Sequence, residues 1–183
     1  NGNNNIVPVY LADTSYNLAD SYVTDDFYGM LEDSEGTMFP SHTLEIATGR
    51  IPVSSQQQAK DVVDKILRDY NVDSFGDWRN TITLLADDID DPSDITIQPG
   101  VETIADDIKA NKPIFNVNKI YADAYIQQNS SGGERYPDVK AAITRAIETG
   151  TLVFDYFGHG GEDGFAAERF LDIPQIKGFK NEN

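Results

Sequence analysis

The sequence predicts an α/β protein built on a mostly parallel sheet flanked by helices. Two observations carry this. From residue 81 onward, apolar patterns of strand and helix length alternate, and that order implies parallel strands joined by right-handed crossovers. The helical stretches show apolar residues at helical spacing on one face and charges on the other. At 183 residues, with 39% hydrophobic and 25% charged residues, the chain can bury one good core or a domain plus part of another.

The elements follow in order. Ile6 to Tyr10 is a short strand candidate, and Pro8 suits an edge. Residues 11–43 are acidic and turn-rich, without a period. Leu44 to Gly49 alternates and reads as a strand. Ser54 and Ser55 then offer N-caps, with Gln57 or Gln58 at capping-box spacing. Ala59, Val62, Val63, Ile66, Leu67 and Tyr70 form the inward face of that helix. Asn71 to Gly76 is a turn and a candidate boundary, giving units 1–76 and 77–183. Phe75 and Trp78 beside it read as core or interface anchors.

Thr81 to Ala86 is a central strand that runs straight into Asp87 and Asp88. A helix near 100–111 points Val101, Ile104, Ala105 and Ile108 inward, and Phe115 to Tyr121 is the next strand. Residues 122–135, with Ser130-Ser131-Gly132-Gly133, read as a loop. Pro137 opens a helix with Val139, Ala142, Ile143, Ala146 and Ile147 inward, and Gly150 suits its end. Leu152-Val153-Phe154 then reads as a buried strand. Asp172 is the N-cap of a last short helix reaching Phe179, with Pro174 in its first turn.

Charge narrows the function. The net charge of −17, from 14 basic and 31 acidic residues, repels phosphates and argues against nucleic-acid partners. No apolar run approaches membrane-span length, and no signal peptide is visible. The absence of cysteine excludes disulfides and thiolate metal sites within these residues. No serine lies in a Gly-x-Ser-x-Gly elbow.

The chemistry-bearing stretch is Tyr156-Phe157-Gly158-His159-Gly160-Gly161-Glu162-Asp163-Gly164. It delivers one of the chain's two histidines to the end of a strand, in a glycine turn. Strand ends in α/β sheets are where ligands bind. His159 at that position suits a general base, and the Gly160 N–H suits an oxyanion. Asp87 and Asp88 end a strand that should run parallel to the one before His159. Either can therefore share its edge, accept its N–H and stabilise the imidazolium, as an orienting acid does. The run Asp87, Asp88, Asp90, Asp91, Asp94 offers oxygen ligands for calcium but lacks EF-hand spacing, and Asp25-Asp26 is a second acidic pair. A solvated loop is the plainer reading of both. His42 reads as a surface residue, Arg50 as half of a salt bridge, and Glu162, Asp163, Glu168 and Arg169 as cleft-lining or solvated.

Tyr156 to Glu162 resembles the catalytic-histidine motif of the gingipain family of cysteine endopeptidases. Thr48-Gly49-Arg50-Ile51-Pro52-Val53, with Val62 to Leu67 after it, resembles the segment joining that family's two caspase-like subdomains. Two further segments resemble the family's sortase branch, which serves type IX secretion. One is Asp123-Ala124-Tyr125 followed by Gly132 to Pro137. The other is Gly158 to Gly164 followed by Ala167-Glu168-Arg169. The resemblance runs from about Tyr22 to Phe179. It implies a caspase-like fold, incomplete here, and a dyad of histidine and cysteine with an acidic third member. His159 matches the histidine, Asp87 or Asp88 the acid with Asp87 preferred, and Gly160 the oxyanion glycine. The matching cysteine is expected on the next strand, beyond Asn183, so these residues alone should cleave nothing. The implied substrates are secreted proteins carrying a C-terminal sorting domain, and other secretion components are implied partners. The implied location is the periplasm or the outer face of a Gram-negative outer membrane. No cofactor is implied as required. The competing reading is a caspase-like module that binds partners or calcium without chemistry.

Overall fold

The computed structural model describes residues 7–11, 23–33, 35, 43–69 and 71–181. The chain divides into two compact units, Asn1–Leu67 and Arg68–Asn183. In the first, β1 (Tyr10–Leu11) pairs antiparallel with β2 (Val23–Thr24). Tyr10 stacks on Phe27 with ring centroids 4.2 Å apart. Arg50 joins the strands to the following turn. Its guanidinium grips both Asp25 oxygens, at 2.7 and 2.9 Å, and donates to the Val7 and Pro8 carbonyls. Half of the Asp25-Asp26 pair is thereby committed to a cation already in the chain.

Residues 44–49 are not a strand. Their alternation is real, but Leu44 and Ile46 face solvent, and the segment is tied to the earlier turn by isolated bonds, such as Glu45 N–H to the Gly29 carbonyl at 3.0 Å, and not by a ladder. A strand pattern needs a neighbouring ladder, and among the described residues none lies beside it. The helix α1 (Gln56–Asp69) begins where the caps predict. Ser55 Oγ accepts from Gln58 N–H at 3.2 Å, and Gln58 Oε1 reaches back to Ser54 N–H at 2.7 Å. Its expected inward face is only partly covered: Ala59 and Val62 are half-buried, whereas Val63, Ile66 and Leu67 are exposed. Tyr70 and His42 lie outside the described residues.

The second unit holds the sheet. β3 (Thr81–Ala86) is its centre, with β4 (Asn116–Tyr121) on one side and β7 (Val153–Phe157) on the other, both parallel to it. Between β3 and β4 lies α2 (Ile97–Asn111). After β4 come the hairpin strands β5 (Gln128–Ser130) and β6 (Gly133–Arg135), then α3 (Pro137–Thr149). Every β3 residue from Ile82 to Ala86 is buried, as a central strand covered on both faces requires. Ile82, Leu84 and Ala86 pack with Val101 and Ala105 of α2, while Leu85 packs with Val139 and Ile143 of α3. Each buried Val, Leu or Ile among these contributes about 1.5–3 kcal/mol.

Three expectations need correction. Ile104 of α2 is exposed, because the helix buries only the narrower Ile97–Val101–Ala105 stripe. Residues 122–135 are not a plain loop: a short 3-10 turn and the β5–β6 hairpin occupy them, and Gly133 takes φ 99° at the reversal. β7 is an edge strand of the described sheet, and Leu152, Val153 and Phe157 are half exposed. An unbroken apolar run shows a strand but does not reveal whether both its faces are covered.

Trp78 and Phe75 fare differently. Trp78 is partly buried and donates Nε1–H to the Ser74 carbonyl at 2.9 Å, whereas Phe75 is largely exposed beneath the Arg79 guanidinium. Arg79 also bonds the Asp69 carbonyl and Ser74 Oγ, which fixes the start of the second unit to the turn before β3. Beyond β7, β8 (Gly160–Gly161), β9 (Gly164–Phe165) and β10 (Leu171–Asp172) form a small antiparallel sheet. It leads into α4 (Ile173–Lys177), which Asp172 caps by accepting from Gln175 N–H at 2.8 Å.

Candidate active site

Register brings the histidine to its carboxylate. Ala86 of β3 lies opposite Phe157 of β7, and the ladder runs one residue further, with Asp87 N–H donating to the Phe157 carbonyl at 3.1 Å. Both chains then leave the sheet at the same edge. Asp87 Oδ2 accepts from the His159 backbone N–H at 2.7 Å and lies 3.2 Å from His159 Nδ1. A carboxylate at Nδ1 favours the tautomer with its proton there, which leaves Nε2 free to take one. Of the two acids proposed from sequence, Asp87 is the one beside the imidazole.

The backbone of His159 is fixed as firmly. Its carbonyl accepts from Tyr156 Oη at 2.7 Å and from Ala166 N–H at 2.8 Å. Burial, with the Asp87 charge nearby, pushes the Tyr156 hydroxyl well above its ordinary range, so it stays a donor. The imidazole itself is 62% exposed while the Asp87 side chain is only 3% exposed. A buried anion thus holds a ring that solvent, and so a substrate, can reach.

Two glycines of the turn play different parts. A Cβ on Gly158 would sit 2.4 Å from Asp87 Cβ, 2.5 Å from Tyr156 Oη and 2.6 Å from Asp87 Oδ2. Only glycine lets the strand pass this close to the acid. At Gly160 the nearest obstacle is the Gly164 carbonyl, 3.8 Å away, so a methyl group fits there. Steric necessity falls on Gly158, whereas the sequence reading favoured Gly160 for its backbone donor.

Asp88 turns the other way. Its Oδ2 accepts from Tyr136 Oη at 3.0 Å, and burial lifts its carboxyl to about 6 against the lowering effect of that bond. Beside it lies Glu168, which the sequence left undecided between cleft and solvent. Glu168 is buried, and burial raises its carboxyl to about 7. The residues bracketing its turn, Ala166 and Arg169, both adopt φ 59°, an uncommon conformation for residues with a side chain. Asp163 and Glu162 are exposed, with Asp163 4.0 Å from Arg169.

Asp94 is the residue that sequence reasoning missed in this role. The sequence places it only in an acidic run. In the fold it is buried, with Oδ1 3.7 Å from His159 Nε2. Its Oδ2 accepts from Asp91 N–H at 2.8 Å, and this bond, opposed by desolvation, holds its carboxyl below the usual range. The run is therefore not one solvated loop: Asp87, Asp88 and Asp94 are buried, and Asp90 and Asp91 are exposed. An acid thus stands on either side of the ring, Asp87 at Nδ1 and Asp94 near Nε2.

Comparison with protein-family models matches the family described as peptidase family C25 over residues 1–183. The chain belongs to that family, the gingipain family of cysteine peptidases, whose members are hydrolases acting on protein substrates. The parallel three-stranded sheet with helices packed on it is consistent with the family's caspase-like fold. Comparisons with curated proteins and with solved structures return no match. No described helix is long and apolar enough to cross a membrane.

Proposed function

We propose that this chain carries the histidine–acid half of a cysteine peptidase site, with His159 as general base and Asp87 as its orienting acid. The observation that carries the reading is the double hold of Asp87 Oδ2 on His159, at the backbone N–H and at Nδ1. The chain has no cysteine, so the thiol comes from residues outside this sequence. In the reaction, Nε2 accepts the thiol proton, the thiolate attacks the scissile carbonyl, and imidazolium returns the proton to the leaving amine. The Gly160 N–H is offered to the oxyanion.

Within the family we read the parent as similar to PorU, the type IX secretion sortase. The support is the combination of Asp123-Ala124-Tyr125, Gly132 to Pro137, and Ala167-Glu168-Arg169 behind the glycine-histidine motif. Its substrates would be secreted cargo with C-terminal sorting domains, at the outer face of the cell envelope. A peptidase that degrades external protein shares the same chemistry and differs only in substrate. The lack of cysteine in these residues is the one observation favouring a non-catalytic binding module.

The deciding experiment replaces His159 by Ala in the full-length protein and follows cargo maturation in cells. Loss of maturation with an unchanged melting temperature is expected. Normal maturation by a stably expressed variant would refute the catalytic assignment. Loss of external proteolysis, with cargo maturation intact, would replace the sortase reading by a degradative one.

A further inference from the structure

Beside the contact between Asp87 and His159, three buried acids converge. Carboxylate oxygens of Asp87, Asp88 and Glu168 all come within 4.8 Å of one another, and all three residues are at least nine-tenths buried. Two of these acids carry an oxygen with no partner: Asp88 Oδ1 and Glu168 Oε2 are sealed from solvent and accept no hydrogen bond. Buried polar atoms are nearly always paired, so two orphaned acceptors in one cluster call for a missing positive group.

Among the described residues, no salt bridge reaches Asp88 or Glu168. The charges acting on Glu168 are Asp88, Asp90 and Asp87, and those acting on Asp88 are Asp90 and Asp87, all of the same sign. Tyr136 satisfies one Asp88 oxygen, and Asp87 Oδ2 is committed to His159. The arrangement outside the buried trio is also acidic: Asp90 and Glu134, both exposed, bring oxygens within the same 4.8 Å limit of Glu168.

We propose that Asp87, Asp88 and Glu168 bind a divalent, oxygen-coordinated cation of the calcium class, with Asp90 and Glu134 at its outer side. An ion of this class holds oxygens at about 2.4 Å, so ligands on opposite sides of it stand at most about 4.8 Å apart. It takes six to eight oxygens, and carboxylates, carbonyls and water together meet that number. The site is not the linear acidic run. Glu168 arrives from the turn after β9, carried there by the left-handed residues on either side, Asp90 belongs to the loop after β3, and Glu134 lies on β6. The ion fixes Asp88 and Glu168 and holds the strand end from which Asp87 reaches His159. It acts on the histidine by positioning, because the Asp87 oxygen facing the ring is already taken.

The test is binding to the 183-residue chain in chelator-treated buffer, with terbium as the probe. Tyr136, whose hydroxyl donates to Asp88, sits close enough to sensitise bound Tb³⁺. Saturable one-site terbium emission is expected, displaced by Ca²⁺, with a melting temperature raised by about 10 °C at a hundredfold calcium excess over Kd. Glu168→Gln and Asp88→Asn should each weaken Ca²⁺ by about tenfold or more, while Asp163→Asn, an exposed acid, should change nothing. Glu168→Gln removes a buried charge, so it should fold at least as well as the wild type without metal. Three results would overturn the proposal. One is no calcium-dependent shift in melting. Another is equal weakening by Asp163→Asn, which marks diffuse surface binding. The third is a wild type indifferent to calcium beside a more stable Glu168→Gln, which assigns the cluster a shared proton or a basic side chain from another segment.

Discussion

Gly158→Ala isolates the geometry of the site from its chemistry. The added methyl would meet Asp87 Cβ at 2.4 Å, Tyr156 Oη at 2.5 Å and Asp87 Oδ2 at 2.6 Å. Ordinary carbon contacts begin near 3.5 Å, so each neighbour must move by about 1 Å. Asp87 is buried and Tyr156 is anchored to the His159 carbonyl, so neither yields freely. Overpacking of this kind costs about 1–3 kcal/mol, of which about 0.4–1 kcal/mol returns through the stiffer unfolded chain. For a unit of this size the net loss corresponds to a fall in Tm of a few to about 10 °C. Activity should suffer more than stability. Displacing Asp87 by about 1 Å misaligns the imidazole, and such a misplacement is worth about a hundredfold in rate. Gly160→Ala is the internal control: its methyl meets only the Gly164 carbonyl at 3.8 Å, so its Tm should not fall, and the stiffer unfolded chain should raise it by up to a few °C. The assays are thermal melting of the 183-residue chain and peptidase activity of the full-length protein. A Gly158→Ala protein that melts and processes like wild type would refute the reasoning, as would a larger loss of stability at Gly160.

His159→Ala should leave the melting temperature nearly unchanged, because the ring is mostly exposed, while processing by the full-length protein falls by orders of magnitude. Asp87→Asn should lower processing about 10²–10⁴-fold by removing the imidazolium's counter-charge, whereas Asp88→Asn should spare the rate by comparison; equal losses would show that the two acids act as one unit. In chelator-treated buffer the fold should lose stability as pH rises from about 5 to about 8. Burial raises Asp88 to about 6 and Glu168 to about 7, so the folded state binds more protons than the unfolded one. That stability is complete below the ordinary carboxylate range and disappears through the raised values. Glu168→Gln should flatten this profile, and urea melts across that pH range measure it. A wild-type profile that instead rises with pH would contradict the buried placement of both acids.

What the sequence determined by itself is what depends on local pattern. Alternation marked β4, short apolar runs marked β3 and β7, and helical spacing marked α2 and α3, because each element writes its own pattern into neighbouring residues. Capping chemistry placed the start of α1 and of α4, since Ser55, Gln58 and Asp172 bond within four residues of themselves. The ordering of strands even implied that Asp87, Asp88 and His159 share an edge, because parallel strands end together. Tertiary structure alone decided which acid meets the ring. Successive residues leaving a strand point opposite ways, so Asp87 reaches His159 while Asp88 meets Tyr136, and only the register between β3 and β7 settles that choice. It also decided that residues 44–49, though alternating, find no ladder, and that Asp94 and Glu168 are buried beside the site. Burial of an acid is set by what distant segments bring over it, and nothing in the residues next to Asp94 or Glu168 records those segments.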